Sequence, residues 1–321
     1  MIATTARKRR YALSLAGGGY RGLFTAEFLT LLEARTGPLP GRFDIVAGTS
    51  VGSLIALALA AGCTASRIRD EMLRLGAGVF PPEPYPLNFL ITKVFGAKRD
   101  GAKLKASIEG LLGNKTLGDV THAVLVPAVD LTKGGFKLFR SRGSSKSGAE
   151  VTDAGARLVD VALASAAAPT YFPAHVVDTR LYADGGLFAN APDTALAIEV
   201  AYRLRWPQES TWVLSIGTTL RSPAMASSGL PRDMSTLDWA KVLLDVVMAA
   251  QIDFSRGVVR EIFGDRAIVV DPERSGAQDG AVGLDKADAD ATNTLRAMAK
   301  IAFERFERDH GELIERLKAR G

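Results

Sequence analysis

The sequence predicts an α/β fold built on a mostly parallel sheet, and two observations carry that prediction. Two strand–glycine turn–helix units follow one another at the N-terminus. Beyond them, short apolar runs keep alternating with segments of helical periodicity. The first strand is read at Tyr11–Ala16, ending in Gly17-Gly18-Gly19. Gly22–Arg35 follows with helical spacing of Leu23, Phe24, Phe28, Leu31 and Leu32. Asp44–Ala47 is the second strand. It enters Gly48-Thr49-Ser50-Val51-Gly52 and a helix at Ser53–Ala61. Consecutive strands joined through helices pair in parallel, which sets the sheet type.

Further strands are expected at Ala123–Val129, Gly135–Phe139, Leu181–Ala183, Trp212–Ile216 and Ala267–Val270. Helices are expected at Ala65–Leu75, Leu104–Leu112, Leu158–Ala167, Asp193–Arg203, Thr236–Phe263 and Thr292–Phe306. Three stretches read as loops, namely Gly76–Asp100, Ser141–Glu150 and Arg221–Met234. None resembles an interdomain linker, and no internal repeat is visible, so residues 1–321 are read as a single domain.

The bulk numbers narrow the function classes. With 321 residues, 47% hydrophobic and 23% charged, the chain has material for an ordinary core and needs no disulfide or metal to hold it. Its one cysteine, Cys63, follows an Ala/Leu run and reads as a buried, inert thiol. The net charge of +5 is modest. Arg7, Lys8, Arg9 and Arg10 form a basic N-terminal run, read as a solvated tail, with attraction to an anionic membrane as the functional alternative. No nucleic-acid motif accompanies it. No apolar run approaches the ~18 residues of a spanning helix. The Arg9-Arg10 pair lacks the cleavage site of a twin-arginine leader. The expectation is therefore a chain that starts near Met1 and works in the cytoplasm, with peripheral membrane association.

Both glycine turns carry chemistry. Gly17-Gly18-Gly19-Tyr20-Arg21-Gly22 satisfies G-x-G-x-x-G between a strand and a helix, the context of a dinucleotide site, and Asp44 lies near the distance of a ribose-binding acid. Asp44 precedes its strand's apolar part, however, whereas a ribose acid belongs at the C-terminal end. The second reading of the same turn is an oxyanion cradle, since backbone N–H groups beside a helix N-terminus stabilise any anion. Gly48-Thr49-Ser50-Val51-Gly52 is G-x-S-x-G between strand and helix, the context of a nucleophile elbow, with Gly48 and Gly52 relieving crowding around Ser50.

A serine nucleophile needs a base. The chain has three histidines, His122, His175 and His310, and only His175, in a loop after Phe172-Pro173, merits a test. None sits in the usual triad order with convincing local context. Asp184 offers another base. It ends a short strand, is followed by Gly185-Gly186, and would take a serine proton directly if burial raised its pKa. A plain Asp-Gly turn is the competing explanation.

Taken together, these segments resemble the patatin-like phospholipases. Gly17 to Gly22 is similar to the family's G-G-G-x-R/K-G motif, Gly48 to Gly52 to its elbow, and Asp184-Gly185-Gly186 to its D-G-G/A motif. A fourth segment, Ala164 to Pro173, resembles its A-S-x-A-A-P-x-x-F stretch. Order and spacing agree across residues 11 to 192, and Gly283 to Ala287 is similar to the tail of bacterial members. Asn190-Ala191-Pro192 departs from the Asn-Asn-Pro of many relatives.

The resemblance implies a three-layer α/β/α fold and a Ser50–Asp184 dyad hydrolysing membrane phospholipid through an acyl-enzyme, without metal or other cofactor. It implies an oxyanion hole built from Gly17, Gly18, Gly19, Arg21 and Gly22. In that hole Gly18 and Gly19 donate N–H groups, and Arg21 holds the loop. The layout also resembles the compact bacterial members that a cyclic di- or trinucleotide switches on in anti-phage defence. A constitutive lysophospholipase or general esterase is the alternative. A catalytically silent binding protein and a nucleotide-dependent oxidoreductase stand further off. A homo-oligomer is compatible with all of these.

Two surface features complete the expectations. The proline-rich apolar run Val79–Ile91 reads as a lid, a membrane-docking loop or a loop packed on the core. Lys133, Lys137, Arg140, Arg142 and Lys146 form a basic cluster facing lipid phosphate or an anionic regulator, or else a solvated hairpin.

Overall fold

A computed structural model describes residues 9–79, 101–120, 122–141, 153–169, 171–221 and 236–320. The chain enters through β1 (Arg10–Leu15), the glycine turn, α1 (Gly22–Thr36), β2 (Ile45–Gly48), α2 (Val51–Ala60), α3 (Ala65–Val79) and α4 (Gly101–Leu112). It continues through the hairpin β3 (Ala123–Asp130) and β4 (Gly135–Arg140), then α5 (Leu158–Ser165) and the hairpin β5 (His175–Val177) and β6 (Arg180–Asp184). After α6 (Gly186–Ala189) and α7 (Asp193–Ile198) come β7 (Thr211–Ile216), β8 (Leu220–Arg221) and α8 (Thr236–Phe263). It closes with β9 (Ala267–Val270), β10 (Glu273–Arg274), α9 (Gly276–Ala281) and α10 (Ala289–Lys318).

Eight strands form one mixed sheet in the order β5-β6-β3-β2-β1-β7-β9, with β4 on β3, and β8 pairs with β10 separately. The strands β3, β2, β1, β7 and β9 are parallel, while β4, β5 and β6 pair antiparallel. Both faces of the parallel part are covered, which is why its strands read as continuous apolar runs. Period-two alternation sorts their side chains. Leu13, Val46, Val126 and Leu214 face a core shared with α1–α5 and α10. Ala12, Ile45, Leu125 and Val213 face a second core under α7 and α8. These are the three layers. Helix α2, Val-Gly-Ser-Leu-Ile-Ala-Leu-Ala-Leu-Ala, is buried from Gly52 to Ala60 because it is apolar on every side.

The predicted elements recur with shifted ends. Gly76 to Val79 belong to α3, and the remainder of the Val79–Ile91 run lies outside the described residues, as do Arg142 and Lys146. The last helix runs to Lys318, past the expected end at Phe306. Its apolar stripe resumes at Leu313, Ile314 and Leu317 beyond a kink at His310. Helix α7 passes into a π turn at Glu199–Arg203, within the stretch expected as one helix. Two members of the basic cluster are engaged in ion pairs. Lys137 binds Asp153 at 2.5 Å, and Arg140 binds the buried Glu199 at 2.9 Å.

One feature of the register positions the site. Along one edge β3 pairs with β4, from Leu125↔Arg140 to Asp130↔Gly135. Its other edge carries two strands end to end. Parallel β2 pairs up to Ala47↔Leu125, and antiparallel β6 ends at Asp184↔Ala128. The C-terminal ends of β2 and β6 therefore point at each other along β3. Between them lies Pro127, whose carbonyl accepts the Ser165 hydroxyl at 2.7 Å. The N–H and C=O of a strand residue point to the same side, so the donor that proline lacks falls where neither strand requires one.

Candidate active site

Ser50 leaves the end of β2 on a strained turn. It has φ 54° and ψ −124°, a conformation that non-glycine residues rarely adopt. Its surroundings hold it there. The Ser50 N–H donates to Ser165 Oγ at 3.0 Å, and its carbonyl accepts the Ser53 N–H at 2.9 Å and the Ser53 hydroxyl at 2.6 Å. The turn is tight enough to exclude side chains on either flank. A Cβ on Gly48 would lie 2.1 Å from the Gly52 carbonyl oxygen, and one on Gly52 would lie 2.3 Å from that of Leu15. The N-terminus of α2, the positive end of its dipole, then points toward the serine.

Asp184 arrives from the opposite direction as the last residue of β6. Its Oδ2 accepts the Ser50 hydroxyl at 2.8 Å, and its Oδ1 accepts the Gly186 N–H at 2.6 Å. The carboxyl is buried and no cation lies among the groups that perturb it. Burial raises its pKa from 3.8 to about 6, and the bonds from Gly186 and Ser50 only partly offset that. A carboxylate so placed is a base near neutral pH, in contact with a hydroxyl.

The glycine turn after β1 borders the same space. Gly18 and Gly19 line a largely apolar cavity of about 120 Å³ together with Ser50, Val51 and Asp184. Among the described residues the Gly18 and Gly19 N–H groups have no acceptor. Gly17 differs, because its N–H is committed to the Asn190 carbonyl at 2.8 Å. Arg21 reaches back to the Gly18 and Thr219 carbonyls at 3.3 and 3.4 Å, which braces the loop. Gly22 lets α1 start against Val51, whose Cγ2 would lie 2.5 Å from a Cβ there. Thr218 supports the turn from below, donating to the Gly17 carbonyl at 2.8 Å. The rest of the cavity is apolar, with Leu54, Leu75, Leu104, Tyr171 and Met248 among its walls.

Sequence reasoning did not assign three of the supporting residues. Ser165 was visible within the Ala-Ser motif, but its bond to the Ser50 N–H was not. Gln251 and Ser255 on α8 secure the segment after Asp184. Gln251 donates to the Leu187 carbonyl at 2.9 Å, and Ser255 accepts the Thr194 N–H at 2.8 Å. No local signal marks them, since both partners lie more than sixty residues away.

The histidines stand apart. His175 is occupied by Asp160 at 3.1 Å, and none of the three lines the cavity. His122 precedes β3 at the opposite end of the sheet, where β2 begins. Asp44 also lies at that opposite end, clasped by Arg10 and Arg320. An acid so engaged and so placed does not fit a ribose site at the glycine turn.

The patatin-like phospholipase family matches residues 13–197. The chain is 36% identical to a cGAMP-activated phospholipase of Pseudomonas aeruginosa over 92% of this chain and 88% of that protein. It is 32% identical to a protein of the same name from Escherichia coli, over 72% of this chain and 68% of that one. A third protein of that name, from Vibrio cholerae, is 36% identical over 56% of this chain and 54% of its own length. The match to the family spans the glycine turn, the elbow and the Asp184 strand end, and the chain belongs to the patatin-like phospholipases.

Proposed function

We propose that this phospholipase uses Ser50 as nucleophile and Asp184 as its only base, and that it releases fatty acids from membrane phospholipid. The carrying observation is the 2.8 Å bond from the Ser50 hydroxyl to a buried carboxylate, at the edge of an apolar cavity. Asp184 takes the hydroxyl proton as Ser50 Oγ attacks the ester carbonyl. The Gly18 and Gly19 N–H groups receive the oxyanion. As the tetrahedral adduct collapses, Asp184 returns the proton to the departing lysophospholipid oxygen. Water then gives a proton to Asp184 and attacks the acyl-enzyme carbonyl; as the Oγ–acyl bond breaks, Asp184 returns that proton to Ser50 Oγ, and the fatty acid leaves. The apolar walls take the acyl chain, and the backbone strain at Ser50 keeps Oγ exposed to it.

Ser50→Ala and Asp184→Asn, purified as folded protein, should each lose at least about 10³-fold in phospholipid hydrolysis. Turnover near wild type in either variant overturns the dyad.

A cyclic dinucleotide such as cGAMP is proposed as the activator, on the names of the three bacterial relatives. A membrane-degrading enzyme of this kind works at the lipid surface, and no helix among the described residues is long and apolar enough to cross a membrane. Hydrolysis of vesicles should rise at least tenfold with cGAMP over other cyclic di- and trinucleotides. High basal activity with no response to any of them identifies a constitutive lipase instead.

A further inference from the structure

Among the described residues of the cavity wall, Asn190 is the one polar side chain with a buried atom that the fold leaves idle. The residue is 2% exposed, and its Nδ2 is buried without a hydrogen-bond partner among the described residues. Its backbone, by contrast, is held on both sides. The carbonyl accepts the Gly17 N–H at 2.8 Å, and the N–H donates to Gln251 Oε1 at 3.5 Å. A buried amide that is fixed in place but unpaired weakens the fold unless something else bonds to it.

Its position indicates what that something is. A Cβ on Gly17 would lie 2.4 Å from Asn190 Oδ1 and 3.2 Å from Ser50 Cβ. A Cβ on Gly186 would lie 3.0 Å from Asn190 Oδ1 and 3.0 Å from Asp184 Oδ1. The carboxamide thus lies beside both the nucleophile and its base, which bond each other directly. Glycine at 17 and 186 leaves room for it there. Asn190 also lines the cavity that holds Ser50.

We propose that the Asn190 carboxamide is a catalytic residue, donating a hydrogen bond to an oxygen of the reacting phospholipid ester and so adding a side-chain donor to the Gly18 and Gly19 amides. The inference rests on the Ser50–Asp184 reading. It assigns a role to the first residue of Asn190-Ala191-Pro192, and the alanine that follows plays no part in it. A donor aimed at the ester oxygen acts mainly on the transition state, because that oxygen gains charge as Ser50 attacks.

The test pairs Asn190→Ala with the isosteric Asn190→Asp, measured on vesicles and on a soluble short-chain ester. Both should lower kcat on either substrate by about 10–100-fold. KM should stay within about threefold. The melting temperature of Asn190→Ala should equal or exceed that of wild type, since an unsatisfied amide is removed. Three results overturn the proposal. The first is kcat of Asn190→Ala within about twofold of wild type. The second is a clear fall in melting temperature for both variants in step with activity, which assigns Asn190 to the fold. The third is a shift in the acid limb of the pH–rate profile with an unchanged plateau, which assigns it to holding Asp184. Ser50→Ala and Asp184→Asn run alongside, so retained activity in those two defeats the dyad itself, whatever Asn190 does.

Discussion

Asp44, half-buried at the entrance to β2, and Asp184, buried at the end of β6, are two aspartates that the protein treats in opposite ways. At the entrance to β2, burial would raise the Asp44 pKa, but the Arg320 guanidinium, the Tyr11 N–H and Arg10 outweigh it and hold it below its ordinary value. Arg320 grips both carboxylate oxygens at 2.7 and 2.8 Å, tying the C-terminal turn to the sheet. At the exit of β6, Asp184 is buried with no cation beside it among the described residues and is pushed up to about 6. A charge clamped by arginines serves architecture. A charge left unpaired in a dry site stays available for proton transfer.

The sharpest way to break this contrast is to remove the titrating group. Asp184→Asn should abolish turnover, whereas Asp44→Asn should leave kcat per folded molecule unchanged. In wild type, kcat/KM should rise with pH through an apparent pKa near 6, where Asp184 ionises. A profile flat from pH 5 to 8 would contradict that role.

Stability gives the next largest effect, with opposite signs at the two sites. The native protein binds the Asp184 proton more tightly than the unfolded chain does. Asp184 is therefore neutral without cost below pH ~4, and its contribution is lost as pH rises through about 6. Above that, ionisation costs up to about 3 kcal/mol. Asp184→Asn should then stabilise the protein at pH 7.5, by an amount that shrinks toward pH 4 in denaturant titrations. Asp44 runs the other way. Its lowered pKa contributes stability above the unfolded value of 3.8, lost as pH falls through the native one. Asp44→Asn should cost about 1–3 kcal/mol at pH 7, because two arginines lose their partner.

The smallest effect separates those arginines. Arg320 makes two short bonds to Asp44 and Arg10 makes one at 3.1 Å. Arg320→Ala should exceed Arg10→Ala in lost stability by about 0.5–1 kcal/mol, readable in urea unfolding.

These contrasts also show what a sequence reveals. The turns at Gly17–Gly22 and Gly48–Gly52, and Asp184 before its two glycines, were legible because tight backbone geometry demands particular residues locally. Asp184 was recognisable as a candidate base, while the burial that raises its pKa comes from distant segments. The pairing of Lys137 with Asp153 and of Arg140 with Glu199 engages two residues of the predicted basic cluster, which residue counting cannot foresee. Strand β5 is three residues long and gave no periodicity to read. The idle amide of Asn190 was invisible for a related reason, since lacking a partner is a property of three-dimensional surroundings.

The end-to-end arrangement of β2 and β6 on β3 has a consequence for biosynthesis. Ser50 and Asp184 are 134 residues apart, and they meet only when β6 has docked in register beside Ala128. A slip of one residue would carry Asp184 about 3.3 Å along β3 and turn its side chain to the other face. A chain still emerging from the ribosome thus holds Ser50 without the base proposed for it. The same timing holds for a misregistered folding intermediate, so the proposed dyad is assembled only once the fold is complete.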